Sequence, residues 1–373
     1  MCPCEKTVDG TCEPLLAFPK GGPVASIKKH KAALRRSRND FWEEIDMTKL
    51  RGTLTGVAVG TLAALAAAVG PAAAQDFPNR PITLIVPWGA GGGTDTVARS
   101  LAAAMEQELG QPVNVVNRTG GSGIIGHTAM ASAAPDGYTI GTINVDLSQL
   151  VCQGLTELTA DEFTHIALIN TEPAAVSVGA DSEFETLEQA LEAIRENPPG
   201  TFTASGSGTG SIYHLAWAGL MVAAGIDPSK VTWVPSQGGG PSLQDAASGA
   251  VDFVTPPLST AAPLVEAGKI RPLATMGADR FERLPDVPTV AEAIGAEWTS
   301  QTWRMIGAPK GLPEDLRDDL VAAVRAAYDS ESFTTFMGDR GFAMTWMGPE
   351  EAKAFHASED KAICEVMEAA GMI

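Results

Sequence analysis

Basic side chains are scarce in this chain: 26 lysines and arginines stand against 45 aspartates and glutamates in 373 residues, a formal net charge of −19. So acidic a surface repels phosphate backbones and anionic bilayers, which excludes nucleic acid as a partner. No segment recurs at a solenoid or propeller period. Histidines 127, 165, 214 and 356 are scattered, with no paired cysteines beside them, so no zinc site is expected. Neither G-x-S-x-G nor G-x-x-x-x-G-K-[ST] occurs, and Gly206, Gly208 and Gly210 give G-x-G-x-G instead of the dinucleotide fingerprint. Hydrolase, nucleotide and dinucleotide chemistry thus lack their recognisable forms, and neither cofactor nor catalysis is expected. What is present is a globular composition, 45% hydrophobic and 19% charged, long enough for two domains.

Charge is also missing from one continuous stretch, Gly52 to Gln75, which is rich in alanine and valine. Lys49 and Arg51 precede it, Val57 to Val69 form its apolar centre, and Ala72 and Ala74 supply small residues near its end. That order reads as a secretory signal at 47–75, with translation beginning at Met47 and residues 1–46 a dispensable leader. The apolar centre is shorter than the ~20 residues a bilayer span needs. No cysteine sits at the expected cleavage position, which argues against a lipid anchor there. Cleavage after residue 75 leaves 16 basic and 38 acidic side chains, a net charge of −22. It also leaves two cysteines, Cys152 and Cys364, more than 200 residues apart. Two free buried thiols are the expectation, with one disulfide as the alternative in an oxidising periplasm.

From residue 82 onward, short apolar runs alternate with helical patterns, the signature of strand-helix-strand units on parallel sheets. ITLIVP at 82–87 reads as a buried strand. Val97, Ala98, Leu101, Ala102, Met105 and Leu109 then recur at helical spacing until Gly110. The unit returns in a second block, where TFTASGSG leads into SIYHLAWAGLMVAAGI. Two α/β lobes are expected, one from 76–176 with 298–373 and the other from 177–297. In open α/β sheets ligands sit outside the carboxyl ends of the strands, so facing loops of two lobes define a cleft.

Three glycine-rich strand-to-helix loops could line it. The first runs Pro87, Trp88, Gly89, Ala90, Gly91, Gly92, Gly93, Thr94, Asp95; its free amides and the positive helix end favour an anion such as a carboxylate. Asp95 is expected as the helix N-cap, with a ligand ammonium as the alternative contact. The second runs Ser205, Gly206, Ser207, Gly208, Thr209, Gly210, Ser211, and its hydroxyls and amides suit the other end of a polar ligand. His214 follows it, either donating to a carboxylate or sitting as a satisfied core or capping histidine. The third loop, Gln237 to Pro241, reads equally as ligand contact or plain turn.

Taken in order, FPNRPITLIVPWGAGGGTDTVAR, VNVVNRTGGSGIIG, PDGYTI, SGSGTGSIYHLA, LVEAGKIRPLA and LPDVPTVAEA closely resemble the Bug or TctC family, the extracytoplasmic receptors of tripartite tricarboxylate transporters. The resemblance covers residues 76–373. It implies a type II periplasmic-binding-protein fold, an α/β Venus flytrap closing on a small carboxylate, acting as a monomer without cofactor and delivering its ligand to membrane permease subunits. It further implies that Pro87 to Asp95 and Ser205 to Ser211 with His214 clamp the carboxylates, and that the third loop is Pro235 to Pro241, with Ser236, Gln237, Gly238 and Gly239 as its candidate contacts. Asn144, closing the strand YTIGTIN, and Asp252, in the family's G-x-V-D position, complete the candidate set. Ser236 stands where relatives commonly carry an aromatic residue, so the ligand is not transferable. The rival readings are a ligand sensor without a transport role and a secreted hydrolase using Ser205, Ser207 and His214.

Overall fold

The computed structural model describes residues 77–369 and 371–373. The leader and signal expected at 1–46 and 47–75 lie outside the described residues. Along the chain run β1 (Ile82–Val86), α1 (Gly93–Leu109), β2 (Val113–Asn117), α2 (Ile124–Ala131), β3 (Thr139–Asn144), α3 (Asp146–Cys152) and β4 (Phe163–Pro173). Then come β5 (Ala175–Gly179), α4 (Leu187–Glu196), β6 (Phe202–Ser205), α5 (Ile212–Ala223), β7 (Val231–Val234), α6 (Gly239–Ala247), β8 (Phe253–Val254), α7 (Leu258–Glu266) and β9 (Ile270–Thr275). α8 (Val290–Ile294), β10 (Gln301–Pro309), α9 (Glu314–Asp329), α10 (Glu331–Arg340) and α11 (Pro349–Ala369) complete the order.

The strands form two five-stranded sheets, β2-β1-β3-β10-β4 and β7-β6-β8-β5-β9. Within each, the strand-helix-strand units are parallel as expected: β1 with β2 and β3, and β6 with β7 and β8. The sheets as wholes are mixed, which corrects the all-parallel expectation. β10 runs antiparallel to β3 and β4, and β5 antiparallel to β8 and β9. The cause lies in the crossings: β5 and β10 each begin where the chain passes between sheets, and so run opposite to strands that end there.

Those crossings are tied together. The chain changes sheets at Ala174, whose N–H donates to Ser300 O (2.9 Å) and whose carbonyl accepts from Met276 N (2.8 Å); Ser300 N donates to Met276 O (3.1 Å). The expected break after residue 176 falls inside β5, three positions beyond the last residue of β4.

Each sheet has its own core. On the first, Val97, Ala98, Leu101, Ala102 and Met105 turn one face of α1 onto Ile82, Leu84 and Val86, all at most 3% exposed. Burying a Leu or Met side chain of this kind contributes about 1.5–3 kcal/mol. Gly110 ends α1 in the left-handed conformation (φ 62°) and returns its N–H to Glu106 O, the role expected of it. On the second sheet, Leu187, Leu191 and Ile194 of α4 and Trp217 and Leu220 of α5 pack against Val176, Val178 and Phe253.

The C-terminal helices return to the first sheet as expected: α9 packs on α1, and α11 on α3 and β4. This last contact overturns the expectation of free thiols. Cys152, at the end of α3, is joined to Cys364 of α11 in a disulfide. Their Cα atoms lie 5.2 Å apart, within the range a disulfide requires. Only the fold reveals that proximity, because 212 positions separate the two residues.

Candidate functional site

The carboxyl ends of β1, β3, β6 and β7 bring the three glycine-rich loops together. The first and third touch directly: Gly89 N donates to Gln237 O (2.8 Å), and a Cβ on Gly240 would fall 2.6 Å from both Gly91 C and Gly92 N. The second loop is held to the first sheet at its rim, where Ser122 Oγ donates to Thr209 O (3.3 Å) and Gln153 Nε2 to Gly210 O (3.1 Å).

Between them lies a cavity of about 20 Å³, enough for roughly one water molecule. Trp88, Gly92, Gly93 and Thr94 line it from the first loop, and Asp146 and Thr302 from elsewhere on the first sheet. Ser207 and Tyr213 line it from the second loop and α5, and Gly238 and Gly239 from the third loop. The first turns of α1, α5 and α6 all start at this place, and each leaves N–H groups without intrahelical partners.

The first loop is braced from behind. Asp95 accepts from Gly91 N (2.9 Å), Arg99 Nε (3.0 Å) and Asn117 Nδ2 (2.8 Å). Burial pushes its pKa up, but the Arg99 guanidinium and the Gly91 and Asn117 donors outweigh that and hold it below the usual carboxylate value. The N-cap itself is Gly92, so Asp95 acts from the first turn of α1 and not as the expected cap. Asn117 Nδ2 also donates to Trp88 O (2.9 Å).

Beneath Thr94 lies a fully buried polar cluster that the sequence reading did not find. Arg304, 1% exposed on β10, donates through Nε to Thr94 Oγ1 (3.2 Å) and through Nη1 to Asn170 and Glu172 of β4. Glu172 also accepts from Ser259 at the start of α7. Asn144 Nδ2 donates to the same Thr94 hydroxyl (3.2 Å), so Asn144 supports the loop from one layer behind the cavity. Gly93 must be glycine here, because a Cβ would lie 2.5 Å from Arg304 Nη2.

The second loop is arranged differently. Ser205 Oγ donates to Val234 O (2.7 Å), Ser207 and Ser211 share a hydrogen bond, and Ser211 Oγ donates to Gly208 O (2.5 Å). Ser236 N donates to Ser207 O (3.1 Å), linking the second and third loops. His214 Nδ1 accepts from Gly210 N (3.0 Å), and its ring stacks on Trp233 with centroids 4.6 Å apart. Burial lowers its pKa to about 4, so the imidazole is neutral. Nδ1 thus caps Gly210, and the His214 side chain does not line the cavity in this conformation. No serine of this loop is hydrogen-bonded to it.

Asp146 was likewise missed, although it lies two residues beyond Asn144. It is 5% exposed, and its Oδ1 accepts from Ile212 N (2.9 Å) at the first turn of α5, reaching from the first sheet to the second. Burial pushes its pKa up to about 6, against the pull of the Ile212 N–H, its own N–H and Arg304.

Two candidates stand apart from this cluster. Ala90 is exposed on the outer side of the first loop. Asp252 sits at the amino-terminal end of β8, accepting from Thr203 N (2.7 Å) and Oγ1 (2.8 Å). There it borders a separate surface hollow of about 400 Å³, which no other candidate residue lines. Its motif position drew attention to it, but the loops gather at the opposite end of the strand. Among the described residues no helix is long and apolar enough to cross a membrane.

Known proteins resemble this chain throughout the region just described. A family model described as the tripartite tricarboxylate transporter family receptor matches residues 97–372. A UPF0065 protein from the tcbD-tcbE intergenic region of Pseudomonas sp. (strain P51) is 32% identical over 286 residues, 76% of this chain and 84% of that protein. Among solved structures, the periplasmic binding protein BugD superposes with a TM-score of 0.74 at 28% identity, covering 79% of this chain and 99% of that one. MatC from Rhodopseudomonas palustris, with bound malate, gives 0.71 at 29% identity, over 78% and 99%. The two-lobed periplasmic-binding-protein architecture expected from the motifs is the fold these proteins share.

Proposed function

This chain belongs to the tripartite tricarboxylate transporter receptor family, and from that premise we propose that it is a secreted solute receptor closing two α/β lobes around a small organic carboxylate. One observation carries the reading. Three helix amino-termini and their glycine loops, contributed by both sheets, converge on a single cavity, and the Gly89–Gln237 hydrogen bond joins the first and third of those loops. Helix amino-termini suit a carboxylate, and four glycines in the cavity wall let it approach the backbone.

The cavity holds about one water in this conformation, so the ligand enters when the lobes part and is enclosed as they swing together. Ala174, Met276 and Ser300, joined through their backbones, are the hinge of that motion. Closure is favoured by contacts that only the closed state completes. The malate held by MatC supports a carboxylate as the ligand class. The uncharged stretch at 52–75 supports export, and the family supports delivery to membrane permease subunits. The test is a thermal-shift screen of the protein, first stripped of retained ligand by unfolding and refolding, against mono-, di- and tricarboxylates and amino acids. A ligand at one hundred times its dissociation constant adds about 2.7 kcal/mol and raises the midpoint. Silence across the whole panel overturns the receptor reading.

A further inference from the structure

We propose that Asp146 decides the charge this cleft accepts, so that the preferred ligand carries one carboxylate and, at its far end, an ammonium. The inference rests on the receptor reading above and narrows it. Asp146 is the only acidic or basic residue in the cavity wall. Its carboxylate already accepts from Ile212 N at the start of α5, the seat that a ligand carboxylate would need on the second lobe. Arg304, the cation that acts on Asp146, is already engaged through Nη1 by Glu172 and Asn170. The first loop is the reverse: Asp95 braces it from behind without entering the wall, and Gly92, Gly93 and Thr94 line the cavity at the amino-terminal end of α1, which favours an anion. One end of the cavity is therefore positive and the other negative. A dicarboxylate would set like charges side by side in a closed site, at a cost of several-fold to many-fold in affinity.

Of the side chains, Arg304 on β10 acts on Asp146, and Asp146 with Glu172 of β4 acts in turn on the buried Tyr213 of α5. His127 of α2 and His356, Glu359 and Asp360 of α11 lie on the elements packed against α3. Burial pushes the Asp146 pKa up to about 6, with the pull of Arg304 already acting on it. Above that value its charge is present, so an ammonium ligand gains and a dianion loses.

The test uses matched pairs that differ at one end only: succinate with 4-aminobutanoate, and adipate with 6-aminohexanoate. The full chain is titrated calorimetrically with each. The wild type is expected to bind the amino acid of a pair at least about tenfold more tightly than the diacid. Asp146→Asn keeps an oxygen for Ile212 N and removes the charge, and is expected to erase or invert that ratio. If the variant does not fold, the wild type alone decides. From about pH 5 to about pH 8 its preference for the amino acid is expected to rise with a midpoint near the Asp146 titration. A wild type that prefers diacids, or a preference that neither Asp146→Asn nor pH alters, overturns this inference and leaves the receptor standing. Failure to bind any carboxylate overturns both.

Discussion

The first and second glycine loops are built on one plan, a strand ending in small residues that open into a helix, yet they are stabilised from different places. The first is braced mainly from its own lobe, where Asp95, on the helix the loop leads into, grips Gly91 and Arg304 supports Thr94 from below, with one bond, Gly89 N to Gln237 O, crossing to the third loop. The second has bonds within its own lobe as well, Ser205 to Val234, Ser236 to Ser207 and Gly210 to His214, but it also takes Asp146 on Ile212 and Gln153 on Gly210 from across the cleft. A loop braced within its own lobe keeps its shape whether the cleft is open or shut. A loop braced from the opposite lobe gains those bonds only on closure. The second loop thus takes more bonds from the opposite lobe than the first, which takes one.

The largest expected effect falls on the first loop. Arg304→Met strands Glu172 in the interior and is expected to cost about 3–5 kcal/mol in urea unfolding, with much of the loss recovered when Glu172→Leu is added. A single change costing under about 1 kcal/mol would mean that the first loop does not stand on this pair. Next comes the contact between lobes. Gly240→Ala places a methyl 2.6 Å from the Gly91–Gly92 backbone. Alanine suits the first turn of α6, so the unliganded protein should be as stable as before, while affinity falls at least about 100-fold. Unchanged affinity would mean that the lobes never come this close around a ligand. The smallest effect sharpens the comparison: Asp95→Asn should cost about 1–2 kcal/mol whether or not ligand is present. Because the Asp95 pKa is lowered on folding, its stabilisation is present above the unfolded value of 3.8 and is lost as pH falls through the folded value. Wild type and variant should therefore converge in acid.

The loops were legible because glycine punctuates strand ends wherever backbones must approach closely, and the helices because their apolar residues recur on one face. The strand Phe163–Pro173 was not, since His165, Asn170 and Glu172 interrupt its apolar run. Those residues are buried because partners far along the chain satisfy them, Glu172 by Arg304 at 132 positions' distance. Arg304 lies within the apolar strand β10, but its sequence surroundings say nothing of the charge it meets. The seven-residue α3 is too short for its periodicity to register, so Asp146 passed unnoticed beside Asn144. His214 was visible as a histidine near a loop; which of its two readings holds depends on whether Gly210 N reaches it, and only coordinates show that.

The bond between Cys152 and Cys364 spans 212 positions of sequence, and that span contains every strand of the second sheet together with β4 and β10. The second lobe is consequently part of a closed covalent ring rooted in the first. A protease that severs one peptide bond anywhere in the ring opens it without dividing the molecule: both pieces migrate as one on a non-reducing gel and separate once the bond is reduced. For a receptor working outside the cytoplasm, a single cut in a surface loop of the ligand-enclosing lobe then leaves all its parts in place.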